Sequence, residues 1–275
     1  MQNEIKIYAQ NISGAGSQVH NFNDFILEGA LKHNADIIMF SEYAYPDNHS
    51  DVVKNFEKFQ YKVATSTYKG NKYENGILFA IRESEHIKIL DTFEGLNSNT
   101  LAVPNNLCVK LEYLGNIIEI IGIRIRVYGQ GSKKLKLKSE QAQVISDYVA
   151  SRTTPTIVIG DTNYKSSYLK KGHLAAASKN VNGKDEVTEW RTVNWENCEF
   201  VVPCGDTYQW KKGGKVCSVD CDLAIVKGLK AHAEPYNWDF EKLHPYYSTR
   251  ERYEYINIGK YFPDHPAVIL NVELN

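Results

Sequence analysis

Cysteine is scarce, with five residues (Cys108, Cys198, Cys204, Cys217 and Cys221) in 275. An odd count in so long a chain excludes a disulfide scaffold and suits reduced thiols. Cys217-x3-Cys221 and Cys198-x5-Cys204 lack the C-x2-C pairs of structural zinc sites, so a zinc module is disfavoured. A surplus of either charge is also missing: 32 Lys and Arg stand against 33 Asp and Glu, a net charge of −1. This excludes the overall positive field of proteins that grip nucleic acid through phosphates alone, and it leaves room for a local basic groove. No apolar run approaches the roughly 18 residues that would cross a bilayer. Met1-Gln2-Asn3-Glu4 has neither the basic nor the apolar region of a signal peptide, so a cytoplasmic chain with no membrane association is expected. Repeats, low-complexity tracts and Pro/Gly-rich linkers are absent too. With 43% hydrophobic residues, that composition predicts one domain over 1–275 with a sizeable core.

What the chain does contain is a series of short apolar, β-branched runs punctuated by turns. Strands are predicted at 4–12, 36–40, 60–67, 74–82, 86–91, 106–113, 117–127 and 156–159. Others are predicted near 199–203, 207–211, 222–227, 230–236 and 266–274. Leu114-Gly115-Asn116 is a hairpin signal between two of them. Amphipathic spacing of Val19, Phe22, Phe25, Ile26, Ala30 and Leu31 predicts a helix over 19–33. Further helices are expected at about 136–150 and 166–178, and the stretches 180–197 and 237–262 read as long loops. Many strands and few helices imply packed sheets around one core.

Position carries more than composition. Asn11 closes the first strand, Glu42 follows the run Ile37–Phe40, and Asp161 and Asn163 follow Thr156–Ile159. Asp222 opens Leu223–Val226, and Asp264-His265 precede the last strand. Each residue alone is an ordinary cap or turn residue. Together, if the strand ends converge, they make an oxygen-rich cleft of the kind hard divalent cations prefer.

The segments Ala9-Gln10-Asn11, Asp36-Ile37-Ile38-Met39-Phe40-Ser41-Glu42, Gly160-Asp161-Thr162-Asn163, Asp222-Leu223-Ala224-Ile225-Val226 and Asp264-His265 resemble, in order, the motifs of the endonuclease/exonuclease/phosphatase superfamily. Thr207-Tyr208-Gln209-Trp210 resembles the T-x-x-W strand that precedes the late Asp in that family. The resemblance implies an α/β fold of two packed mixed β-sheets flanked by helices, a four-layer αββα sandwich. It also implies a metal-dependent phosphohydrolase. Carried over residue by residue, Glu42 would bind Mg²⁺ or Mn²⁺ with Asn11 and Asp264. Asp161 would accept the proton of the attacking water, and Asn163 would hold the nucleophile or phosphate. His265, oriented by Asp222, would donate to phosphate as imidazolium.

Two departures stand out. Where many relatives have a His, the strand Ile121-Gly122-Ile123-Arg124 carries Arg124. Where the secreted-DNase branch has a Glu partner for that His, Glu74-Asn75-Gly76 carries Asn75. Arginine needs no partner to keep its charge and cannot act as an acid or base at neutral pH, but it can clamp a phosphate bidentately. Asn75 and Tyr128 are therefore expected beside the substrate. The basic run Lys133–Lys138 and the aromatics Trp190, Trp195, Trp210, Trp238, Tyr246 and Tyr247 are candidates for phosphate contact and base stacking.

The sequence thus favours a phosphodiesterase acting on nucleic acid or a nucleotide, with no obligate protein partner. A phosphomonoesterase acting on a phosphorylated sugar or lipid headgroup, and a silent phosphate-ligand binder, stay open beside it.

Overall fold

The structure, a computed structural model, describes residues 4–12, 24–66, 76–96, 102–206, 208–212, 215–236 and 265–273. For 24, 25, 185, 208–212 and 215–218 it describes the backbone alone. In chain order the elements are β1 (Glu4–Asn11), α1 (Asp24–Leu31), β2 (Ile37–Tyr43), α2 (His49–Lys58), β3 (Tyr61–Thr65), β4 (Gly76–Arg82) and β5 (Ile87–Phe93). Then come β6 (Asn105–Tyr113), β7 (Asn116–Arg124), α3 (Gly131–Ala150), β8 (Thr156–Asp161), α4 (Ser166–Lys171), β9 (His173–Val181) and β10 (Lys184–Thr192). The last are β11 (Cys198–Val201), β12 (Tyr208–Lys212), β13 (Lys215–Val219), β14 (Asp222–Lys227), β15 (Lys230–Ala233) and β16 (Val268–Glu273).

Two six-stranded sheets form, in the orders β15-β16-β1-β2-β4-β3 and β11-β14-β8-β7-β6-β5. Both are mixed: β1 runs parallel to β2 and antiparallel to β16, while β7 runs parallel to β8 and β8 antiparallel to β14. Alternation along the strands sorts the side chains into layers. Ile5, Ile7, Met39, Ile77 and Phe79 of the first sheet meet Leu107, Val109, Ile120, Ile159 and Val226 of the second in the central core. The opposite face of the first sheet, with Tyr8, Ile38 and Phe40, packs under Ile26 and Ala30 of α1 and Val52 and Phe56 of α2. That of the second, with Ile121, Val158 and Ile225, packs under Ala142, Ile145 and Val149 of α3. The αββα order predicted from the sequence is the order observed. At Gly122 the sheets lie close together, and a Cβ there would lie 2.9 Å from the Phe79 ring.

The strands fall within a few residues of their predicted places, but several connections differ. The helix expected over 166–178 stops at Lys171, capped by Gly172 in the left-handed conformation (φ 64°). From His173 the chain is extended, in β9. The expected loop 180–197 is mostly a hairpin, β9–β10, turned by Asn182 (φ 50°) and Gly183 (φ 79°). Asn-Gly is the commonest two-residue hairpin turn, and positive φ at both positions is its signature. α3 begins at Gly131, so the Lys133–Lys138 run is helical. α2 was not predicted, although Val52 and Phe56 are spaced for one buried helical face. β13 was also not predicted. The 237–262 segment lies outside the described residues. Among the described residues no helix is long and apolar enough to cross a membrane.

Candidate active site

The alternation that fills the central core also delivers polar residues to its rim. In β1 the inward series Ile5, Ile7, Ala9 reaches the strand end at Asn11. In β8 the series Ile157, Ile159 ends at Asp161, and in β7 Ile118 and Ile120 lead through Gly122 to Arg124. β14 runs the other way and begins with Asp222 ahead of Ala224 and Val226. Cross-strand register sets Arg124 beside Asp161 and Asp161 beside Asp222.

Glu42 would face the helices if β2 were regular. A bulge between Ser41 and Tyr43 opposite β4, with Glu42 at φ 59°, aims its carboxylate at the rim instead. A left-handed non-glycine residue costs on the order of 1 kcal/mol.

The rim is hydrogen-bonded across the two sheets. Asn11 Nδ2 donates to Glu42 Oε1 (3.1 Å) and to Asp161 Oδ2 (3.0 Å). Asn163, at φ 52°, gives its backbone N–H to Asp161 Oδ1 (2.7 Å) and Nδ2 to Asp161 Oδ2 (2.8 Å) and the Ile125 carbonyl (2.9 Å). His265 Nδ1 lies 2.7 Å from Asp222 Oδ2. Gln10 Nε2 donates to the His265 carbonyl at 3.0 Å and its Oε1 accepts from Tyr8 Oη at 2.8 Å, while Tyr236 Oη donates to the Asp222 carbonyl. Arg124 Nε stands 2.7 Å from Glu42 Oε1, yet no hydrogen bond is aligned with that N–H, so the contact is one of charge. Arg126, two residues on, turns away to donate to the Val103 carbonyl.

Burial lifts the Asp161 carboxyl to about 6, and the Asp222 charge adds to the rise, with His265 and Arg124 opposing it. Three carboxylates, Glu42, Asp161 and Asp222, thus share the rim with Arg124 and His265, and their oxygens are donors of the kind a hard divalent cation takes.

The turn after Asp161 is fastened from outside. Thr162 Oγ1 donates to the Cys221 carbonyl at 2.8 Å, and Ser166 N to the Asp220 carbonyl at 3.0 Å. Lys138 Nζ, from α3, donates to the Asn163 carbonyl and sits 4.1 Å from the Tyr164 ring centroid. Burial, then Lys134, brings Lys138 down to about 8 against the pull of Asp161. The Cys221 thiol donates to Asp222 Oδ2 at 3.7 Å, and burial followed by the Asp161 and Asp222 charges holds it protonated. Ligand atoms of Cys221, Asp222 and His265 lie within 4.8 Å of one another, a softer donor set than Glu42 offers.

Of the predicted site residues, Asn11, Glu42, Arg124, Asp161, Asn163, Asp222 and His265 are brought together on this rim. Tyr128 sits past the end of β7 with the Arg126 guanidinium 5.8 Å from its ring centroid. Asn75 and Asp264 lie outside the described residues, as do Trp238, Tyr246 and Tyr247 and the side chain of Trp210. Trp195 is a packing residue, its Nε1 donating to the Leu169 carbonyl at 2.9 Å. Trp190 is half exposed and stacked on His173 at 4.5 Å. Gln10, Lys138, Cys221 and Tyr236 were not singled out from the sequence. Lys138 lies inside the basic run, Gln10 inside the first-strand motif and Cys221 directly before Asp222, while Tyr236 is reached only across the fold.

Solved structures with this architecture span the whole chain. Humanised D. rerio TDP2 carrying 14 mutations matches with a TM-score of 0.65 and 12% identity, over 99% of this chain and 100% of that one. ANGEL2, a 2',3'-cyclic phosphatase, matches with a TM-score of 0.65 and 11% identity, over 98% of this chain and 95% of that one. The fold is theirs. The human Nocturnin catalytic domain, with a bound sulfate anion, shares it at a TM-score of 0.58 and 13% identity, over 100% of this chain and 96% of that one. At these identities the likeness is one of fold. No protein-family model and no curated protein matches the chain.

Proposed function

We propose that the chain is a divalent-metal-dependent phosphodiesterase that hydrolyses a phosphodiester in nucleic acid or a nucleotide by in-line attack of water. The observation that carries this reading is Asp161: a buried carboxylate, raised toward neutrality, held by Asn11 and Asn163 between Arg124 and Asp222. A base of that strength is matched to taking a proton near neutral pH. Asn163 spends both its backbone N–H and its amide on Asp161, so its part is to fix the base toward the attacking water. Asp222 holds Nδ1 of His265 and so orients the ring, which as imidazolium would donate to a phosphate oxygen. Arg124 supplies a second cationic donor with a geometry suited to phosphate. Glu42, with Asn11 and Asp264, would hold Mg²⁺ or Mn²⁺, which supplies Lewis-acid neutralisation of phosphate charge. Phosphoryl transfer needs such positioning and neutralisation more than covalent chemistry.

The fold neighbours favour a nucleic-acid substrate: D. rerio TDP2 is known in complex with a single-strand DNA product, at 11% identity and a TM-score of 0.64. The free thiols of Cys108, Cys198, Cys204 and Cys221 suit a reducing, cytoplasmic setting. One observation favours the silent-binder reading, namely Arg124 resting on the metal-site carboxylate. Turnover decides. Bis-p-nitrophenyl phosphate and p-nitrophenyl phosphate are assayed with Mg²⁺, Mn²⁺ or EDTA. The diester is expected to be cleaved only with metal and not by Asp161→Ala. Cleavage of the monoester alone would give the site to a phosphatase, and saturable binding without product would make it a binder.

A further inference from the structure

Glu42 and Arg124 come from different sheets, β2 and β7, and meet at the rim with 16% and 19% of their side chains exposed. One oxygen of Glu42, Oε1, lies 2.7 Å from Arg124 Nε and accepts a hydrogen bond from Asn11 Nδ2 at 3.1 Å. The guanidinium therefore already supplies positive charge at the carboxylate to which the metal reading assigns the cation. A divalent ion arriving there meets a like charge in a poorly screened place, and Arg124 must move off or the ion must bind weakly. The guanidinium is not locked down, since its Nε–H has no aligned hydrogen bond. A phosphate offers it a forked pair of acceptors that one crowded carboxylate oxygen does not.

We propose that Arg124 couples metal binding to phosphate binding. Resting on Glu42 it keeps the cation site weak, and a phosphate group draws it away and lets the cation in. The inference rests on the metal-phosphodiesterase reading above and adds an order to it. Substrate, by its phosphate, admits the ion, and by linkage the ion tightens the hold on phosphate by the same factor. An enzyme built this way holds little metal until substrate arrives.

The test is calorimetric titration of Mg²⁺ into the full chain, with and without saturating inorganic phosphate, at matched free Mg²⁺. Wild type is expected to bind Mg²⁺ about tenfold tighter or more with phosphate present, within the usual range of such couplings. Arg124→Gln is expected to bind Mg²⁺ several-fold tighter than wild type without phosphate, and to gain less from adding it. Arg126→Gln loses the same charge two residues away, where the side chain is turned to the Val103 carbonyl, and is expected to titrate like wild type. No phosphate effect in wild type overturns the proposal without recourse to any variant. So does equal Mg²⁺ affinity in Arg124→Gln and wild type, and metal-dependent diester turnover alongside either result would leave the phosphodiesterase reading standing. No Mg²⁺ binding under any condition, together with no diester turnover, would remove both.

Discussion

Asp161 is the rim carboxylate that burial moves toward neutral pH. Its folded value is raised from 3.8 to about 6 by burial and by Asp222. The protonated form is thus favoured in the folded state. Its contribution to stability is fully present below 3.8 and is lost as pH rises through about 6. In EDTA, the wild-type melting temperature measured from pH 3.5 upward should therefore fall relative to Asp161→Ala across that window; parallel curves would refute the assignment. Activity should run the other way, with kcat/KM declining as pH falls and Asp161 takes up the proton. Lys138 acts one step removed, through the Asn163 carbonyl. Lys138→Met is expected to lower kcat roughly 10- to 100-fold, as small misplacements of a base do, with KM nearly unchanged. The rim acids were legible from sequence because each ends an apolar run, where no core would take it. Lys138 and Cys221 were not, because what defines them is a partner distant in the chain. Lys138 meets Asn163 25 residues away, and Cys221 joins His265 only through the pairing of Asp222.

At the scale of elements, strand-to-turn geometry decides where the acids point. Gly160 sits at φ 137° directly before Asp161, and a Cβ there would lie 2.2 Å from the Ile123 carbonyl oxygen. Gly160→Ala should therefore cost about 2–4 kcal/mol, from backbone strain plus displacement of β7. Urea unfolding would measure it, and a loss under about 0.5 kcal/mol, the size of an ordinary surface change, would show the strand can yield. The β-strands were readable because burial on both faces leaves unbroken apolar runs such as Ile37–Phe40 and Thr156–Ile159. The β9–β10 hairpin was not, because its second strand is charged and almost wholly exposed, so no alternation survives. Its Asn182-Gly183 turn was the available signal. The Glu42 bulge was equally hidden: a single extra residue leaves no trace in composition, only in where the next side chain points.

For the whole molecule, the site is shared between the sheets. Asn11, Glu42 and His265 belong to the first or adjoin it, and Arg124, Asp161 and Asp222 belong to the second. Asn11 binds Glu42 within its own sheet and spans the gap with one hydrogen bond, to Asp161. The relative placement of the sheets is set by the core beneath, which includes the contact of Phe79 with Gly122. Gly122→Ala is expected to cost about 1–3 kcal/mol, as overpacking does, and to lower kcat by about tenfold or more through misplacement. Unchanged kcat at reduced stability would mean the rim adjusts independently of the core. The interleaved ownership has a consequence for how the molecule fails. A slip of one sheet over the other by a fraction of a side chain would leave both hydrogen-bonded ladders whole and the molecule spectroscopically native. It would nevertheless part His265 from Asp161 across the seam, so, on the proposed phosphodiesterase reading, activity in rising urea should fall silent before the fold does.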